Sequence, residues 1–184
     1  IEGDWSHAAF YLVAGAIGRG EIRLTGLDPQ SAQGDRAVVE ILRDMGADIR
    51  WEGDALVSRA SRLHGLRVDC AQIPDLVPIL AVAMAAAEGE SRITGAARLR
   101  IKESDRLSAM AAALTAAGAD VSELPDGLII RGGKRLHAAK IEGCNDHRIV
   151  MAMTMASEIA DGELTITDAE ATAKSAPAFW QEFE

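Results

Sequence analysis

The sequence predicts an α/β (α+β) lobe turned inside out, with helices buried and three small sheets outside. Three observations predict it. Asp4, Asp75 and Asp146 fall at equal steps of 71 residues, and self-similarity at a fixed period is the mark of a repeat architecture. Each aspartate opens a long apolar stretch: GDWSHAAFYLVAGAI from Gly3, PDLVPILAVAMAAA from Pro74 and NDHRIVMAMTMAS from Asn145. Helices apolar nearly all round are buried on most sides. Each stretch then closes on a glycine and an alternating strand such as Glu21-Ile22-Arg23-Leu24, so one sheet face meets water.

The elements follow in order. Repeat 1 (residues 1–60) has an apolar helix from Asp4, a strand after Gly20, a second helix from Asp35 and a strand–turn–strand in ADIRWEGDALVSR. Most of its opening strand is missing. Repeat 2 (65–133) is the fullest copy. Leu66–Cys70 reads as a strand, Asp75 starts a helix to about Glu88, and Ser91–Thr94 is a strand. Ser104 or Asp105 starts a helix ending at Gly118. Ala119–Glu123 and Gly127–Arg131 make a hairpin around Pro-Asp-Gly, a strong turn signal. The unit is therefore βαβαββ. Repeat 3 (135–184) has a strand at Leu136–Ile141, a helix from Asp146, a strand at Glu163–Thr167 and a last helix from about Ala176, but no closing hairpin. Simple assembly puts the N-termini of the three apolar helices at one end.

Composition narrows the function. The 184 residues are 48% apolar and 26% charged, ordinary for one globular domain or a large lobe. Aromatic residues are only 4%, so Ala, Leu, Ile and Met must fill the core. No apolar run is long enough to cross a bilayer, so no membrane partner is expected. The start Ile-Glu-Gly-Asp carries no initiator Met and no signal pattern, and the chain reads as cut from a longer protein. Cys70 and Cys144 make no disulfide framework, and no Cys/His spacing suggests zinc. A reducing cytoplasmic location and no metal are expected. A net charge of −9 argues against general nucleic-acid binding; any anion site must be a local basic cluster.

Such a cluster is visible. Asp4, Asp75 and Asp146 are expected to cap their helices, for about 1 kcal/mol each. Behind the caps lie cations: His147 and Arg148 in the first turn of the third apolar helix, and Arg106 in the first turn of the second unit's second helix. Lys174 holds the corresponding region of the third unit. Cations there oppose the helix dipole, while free amides at helix starts favour anions. Solvated surface charge accounts for any one of them singly; several at one end suggest a pocket for phosphate or carboxylate. Asp75 and Glu103 add two carboxylates, one able to take a proton while the other gives one. Asp105 reads as a cap. His7 reads as a polar lining residue, and Arg36, though it matches Arg106 in the repeat, has nothing active near it. No phosphate-cradling glycine loop is present.

These residues carry a resemblance. RIKESDRLSAMA from Arg100, IPD at Ile73–Asp75, NDHRIVM at Asn145–Met151, TAKSAP at Thr172–Pro177 and the opening EGDWSHAAFYL are together similar to the EPSP synthase (3-phosphoshikimate 1-carboxyvinyltransferase) family. The resemblance runs in order along the whole chain. It implies a two-lobed enzyme, each lobe of three βαβαββ units, with this chain as a single C-terminal lobe (1–184) and the N-terminal lobe absent. The family's first residues cross over to complete this lobe, in agreement with the missing hairpin. The implied reaction moves the enolpyruvyl group of phosphoenolpyruvate onto the 5-hydroxyl of shikimate 3-phosphate, without metal or organic cofactor. The resemblance implies Asp75 and Glu103 as catalytic residues, with Asp75 on the shikimate hydroxyls and Glu103 protonating the methylene carbon. It implies Arg106, His147, Arg148 and Lys174 at the phosphoenolpyruvate and Lys102 toward the shikimate ring. Arg98 stands where some members carry another polar residue and is given no role. Two other readings are transfer to a UDP-sugar (UDP-N-acetylglucosamine), against which the KESDR block argues, and a non-catalytic anion-binding or clamp-like scaffold.

Overall fold

A computed structural model describes residues 2–183. The first segment runs α1 (Trp5–Ile17), β1 (Glu21–Leu24), α2 (Val38–Asp44), β2 (Asp48–Glu52), β3 (Ala55–Arg59). The second runs β4 (Arg67–Asp69), α3 (Val77–Ala86), β5 (Gly89–Thr94), α4 (Arg106–Ala116), β6 (Asp120–Leu124), β7 (Gly127–Gly132). The third runs β8 (Leu136–Ile141), α5 (His147–Met155), β9 (Ala160–Ile166) and α6 (Phe179–Phe183). Short 3-10 turns occupy Gly34–Ala37, Pro74–Leu76, Ala97–Ile101, Ala156–Ile159 and Ala169–Lys174.

The core is the bundle of α1, α3 and α5, which pack on one another. Every residue of α3 from Val77 to Ala85 is buried, and in α5 all but Arg148 are. That matches their all-round apolar sequence. The three helices run the same way. Ile17, Ala86 and Ile159, at or just beyond their C-terminal ends, line one cavity with Lys134 and Arg135. Asp4, His7, His147 and Arg148, from two of the N-terminal ends, line another.

Three sheets wrap this bundle, in strand orders β1-β3-β2, β4-β5-β7-β6 and β8-β9. β4 runs parallel to β5 and β8 parallel to β9, while the β2–β3 and β6–β7 hairpins are antiparallel. Inward residues alternate as the sequence requires: Ser91 and Ile93 of β5 are buried between exposed neighbours Glu90 and Arg92. The Pro125-Asp126-Gly127 turn closes the second hairpin with Leu124 opposite Gly127. At Gly127 an added Cβ would lie 1.9 Å from the Ile93 carbonyl oxygen, so β7 begins where only glycine fits. Gly46 and Gly118 end α2 and α4 at matching places with φ of 97° and 90°, the left-handed residue that terminates helices.

Some elements differ from expectation. The helix expected from Asp35 opens as a 3-10 turn and becomes α-helical only at Val38. The last helix, expected from about Ala176, is the short α6 from Phe179. Pro177 removes an amide and disfavours helix in the residue before it. Ala169–Lys174 is a 3-10 segment that periodicity did not foretell. Among the described residues no helix is long and apolar enough to cross a membrane.

Candidate functional site

The N-terminal end of the bundle gathers the charged residues. Asp146 is fully buried and caps α5 by accepting from the Arg148 amide at 3.0 Å. Its carboxylate also accepts from Arg106 Nε (2.8 Å) and Nη2 (3.1 Å) and from the Ser104 hydroxyl (2.9 Å). Burial pushes this carboxyl up, but the Arg106 bonds and charge, the Arg148 amide and Ser104 outweigh it and hold it below the ordinary range. Arg106 is the first residue of α4, and only 3% of its side chain is exposed. Asp105 caps the same helix by accepting from the Ser108 amide. Through Nη1, Arg106 also donates to Asp75 at 3.1 Å.

Asp75 is not the cap it was expected to be. A capping aspartate accepts from the second or third amide of its helix, as Asp4 does from Ser6 and His7. Three residues after Asp75 stands Pro78, which has no amide hydrogen. Asp75 instead lies inside the Pro74–Leu76 turn without a capping bond. Its carboxylate faces Arg106 (3.1 Å), Arg148 Nη2 (3.5 Å) and Lys102 Nζ (3.7 Å), and its carbonyl accepts from Arg148 Nη1 at 3.3 Å.

Glu103 pairs with His147 Nδ1 at 2.9 Å and lies 3.7 Å from Arg106 Nη2. Lys174 donates from Nζ to the carbonyl of Asn145. That carbonyl belongs to a strained loop, since Cys144 and Asn145 both take positive φ (53° and 48°). The loop is tied down by Asp168, which accepts from the Asn145 amide at 3.0 Å. The structure thus joins Asp75, Lys102, Glu103, Arg106, His147 and Arg148 in one network of contacts, with Lys174 at its edge. Arg36 is exposed and donates to the Pro29 carbonyl.

Two features escaped sequence reasoning. The sequence marks Asp146 only as a cap, yet it is the carboxylate that orients Arg106; its place at the third equal step is the available signal. Asp35, the counterpart of Asp105, is half-buried and accepts from the Ser6 hydroxyl. Burial pushes it up first; Ser6 and the Arg148 charge oppose this, and the charges of Asp75 and Asp4 add to it. The first unit therefore reaches the site.

Chemically, this end offers cations to a small multiply charged anion, with two carboxylates at the same place. Glu103, Asp146 and His147 bring donor atoms within 4.8 Å of one another, but the Arg106 guanidinium already fills the cationic place between the two carboxylates. The anion donors nearer solvent are Lys102, Arg148 and Lys174.

A family model described as EPSP synthase (3-phosphoshikimate 1-carboxyvinyltransferase) matches residues 1–183. A 3-phosphoshikimate 1-carboxyvinyltransferase of Clostridium novyi is 45% identical over 184 residues, 100% of this chain and 42% of the relative. One from Halobacterium salinarum is 44% identical, with 98% of this chain and 43% of the relative covered. The solved structure of EPSP synthase from Acinetobacter baumannii superposes with a TM-score of 0.85 at 35% identity, over 98% of this chain and 45% of that one. An enolpyruvyl transferase from Streptomyces tendae shares the fold, with a TM-score of 0.77 at 18% identity over 100% of this chain and 42% of that one. The chain spans less than half the length of these relatives. With the match running from one end of the sequence almost to the other, the chain belongs to the EPSP synthase family.

Proposed function

We propose that this chain is the C-terminal lobe of a cytoplasmic enzyme that transfers the enolpyruvyl group of phosphoenolpyruvate to the 5-hydroxyl of shikimate 3-phosphate. Residues 1–60, 65–133 and 135–184 are its three repeats, and an N-terminal lobe supplies the other wall of the cleft. The observation that carries this reading is the set of Lys102, Arg106, Arg148 and Lys174 around Asp75 and Glu103 at one end of the bundle. Both substrates are multiply anionic, and such a set suits them.

In this reading Asp75 holds the shikimate hydroxyls and takes the 5-hydroxyl proton as that oxygen attacks C2 of phosphoenolpyruvate. Glu103 gives a proton to the methylene carbon, which becomes a methyl group. The tetrahedral intermediate then loses phosphate from C2, which departs with the proton taken up by Asp75, and a methyl proton returns to Glu103, restoring the double bond and both carboxylates. Arg106, Arg148 and Lys174 hold the carboxylate and phosphate, Lys102 reaches the shikimate ring, and His147 lines the site and orients Glu103 at 2.9 Å. No step calls for a metal or organic cofactor.

Half a cleft neither excludes water nor orients two reactants. The isolated chain is expected to show no turnover and to regain it when the other lobe is supplied; turnover by this chain alone would overturn the assignment. In the full-length protein, Glu103→Gln removes the proton donor and is expected to lower kcat by about 100-fold or more. A non-catalytic scaffold would show no such loss.

A further inference from the structure

Between α1 and the C-terminal helix lies a polar contact that the proposed reaction does not use. Tyr11 donates its hydroxyl to Glu182 Oε2 at 2.7 Å, and His7 Nε2 lies 3.0 Å from the same oxygen. Below it, Phe179 is fully buried and meets Tyr11 at a ring distance of 6.4 Å. Trp180, edge-on to Phe179 at 5.0 Å, donates its indole N–H to the carbonyl of Ala169 at 3.2 Å. Ala169 begins the 3-10 segment that ends on Lys174. The tail therefore grips α1 with one face and the start of the Lys174 segment with the other.

That segment packs on α5, and its first carbonyl is held by Trp180. A 3-10 stretch has poor hydrogen-bond geometry, and here only Ala171 and Thr172 are buried. Its far end turns through Ser175 and Ala176, whose amides both donate to the Thr172 carbonyl. His7 also lines, with His147, Arg148 and Ser175, a cavity of about 20 Å³, room for about one water molecule. The tail contact thus adjoins the first turn of α5.

We infer that Glu182, held by Tyr11 and His7, is a positioning residue that fixes the Ala169–Lys174 segment and so sets where the Lys174 ammonium stands. Among the described residues, Glu182 makes its side-chain hydrogen bonds to His7 and Tyr11 and none to a candidate substrate-binding residue. Its charge state fits the role: the Tyr11 and His7 bonds hold its carboxyl below the ordinary range. Tyr11 is pushed up in turn, by burial first and then by Glu182. A purely stabilising tail would act through Phe179 and leave Glu182 dispensable.

The experiment has two arms, and the second rests on the proposed binding role of Lys174. In the full-length protein, amide hydrogen exchange is followed at Ala171, Ser175 and Ala176. Glu182→Ala is expected to speed exchange there about fivefold or more by easing local opening, with little change of Tm because exposed pairs add little stability. Glu182→Gln, which still offers an oxygen to Tyr11, is expected to stay near wild type. Unchanged exchange at these amides in Glu182→Ala overturns the inference. In the full-length enzyme, Glu182→Ala and Lys174→Met are both expected to raise KM for phosphoenolpyruvate, Glu182→Ala with kcat within about twofold. Faster exchange with both KM values unchanged would uphold the positioning of the segment and refute the binding role of Lys174. A raised KM in Lys174→Met alone would refute the inference and keep that role.

Discussion

Replacing Asp146 by Asn removes one charge from a site that has no access to water. Asp146 is fully buried and the Arg106 side chain is 3% exposed, so neither charge is screened. The substitution keeps the shape and one carbonyl oxygen, which can still cap Arg148, but it forfeits the two-point grip on Arg106 at 2.8 and 3.1 Å. Removing one partner of a buried pair costs about 3–5 kcal/mol. Asp75, 3.1 Å from Arg106, still balances part of the guanidinium charge, so the lower end, about 3 kcal/mol, is expected. Urea unfolding of the wild-type chain and Asp146→Asn at pH 7 reads this as a lower midpoint with unchanged slope. The sign of the pH effect follows from the depressed carboxyl. The unfolded chain takes up the proton first, so the contribution is full above about pH 4 and fades below it, through the folded value. The gap between the two proteins should therefore narrow in acid. A gap below about 0.5 kcal/mol at pH 7, smaller than any charged hydrogen bond supplies, would refute the view that this pair organises the end of the bundle.

Two further outcomes test the frame around the site. Leu80→Ala, at a fully buried position in the middle of α3, is expected to lower unfolding free energy by about 2–5 kcal/mol, read by denaturant titration; a loss under 1 kcal/mol would mean the bundle is loosely packed. Gly127→Ala forces a methyl to 1.9 Å from the Ile93 carbonyl oxygen. It is expected to cost more than the roughly 1 kcal/mol of an ordinary strand substitution, seen as a drop in Tm.

Much of this was legible because the repeat makes each copy a check on the others. The equal spacing of Asp4, Asp75 and Asp146 gave the three buried helices, and Pro125-Asp126-Gly127 gave the hairpin to within a residue. Arg106, His147, Arg148 and Lys174 were nameable as a cluster because cations at helix starts break a local rule, whereas Lys102 came only from the family resemblance. What stayed hidden depended on partners far away in the chain. Asp4 and Asp75 look alike in sequence, yet Pro78 offers no amide and the Val77 amide donates to the Pro74 carbonyl, so Asp75 makes no capping bond and its carboxylate meets Arg106. Asp35 and Asp105 occupy matching places, but Asp105 caps near the surface, whereas Asp35 is half-buried against Ser6. The Ala169–Lys174 segment has no periodicity to read; packing on α5 and the Trp180 indole N–H on the Ala169 carbonyl hold it.

The common direction of α1, α3 and α5 has a consequence that no single side chain carries. Their peptide dipoles add, so the main chain brings positive partial charge to one end of this acidic molecule, where the carboxylates of Asp4 and Asp146 sit as caps. At the other pole, where the carbonyls point outward, Lys134 and Arg135 line the cavity as counterweights. The main chain itself therefore favours negative charge at that end. Mutation at the mouth changes the side chains there while leaving that backbone polarity in place.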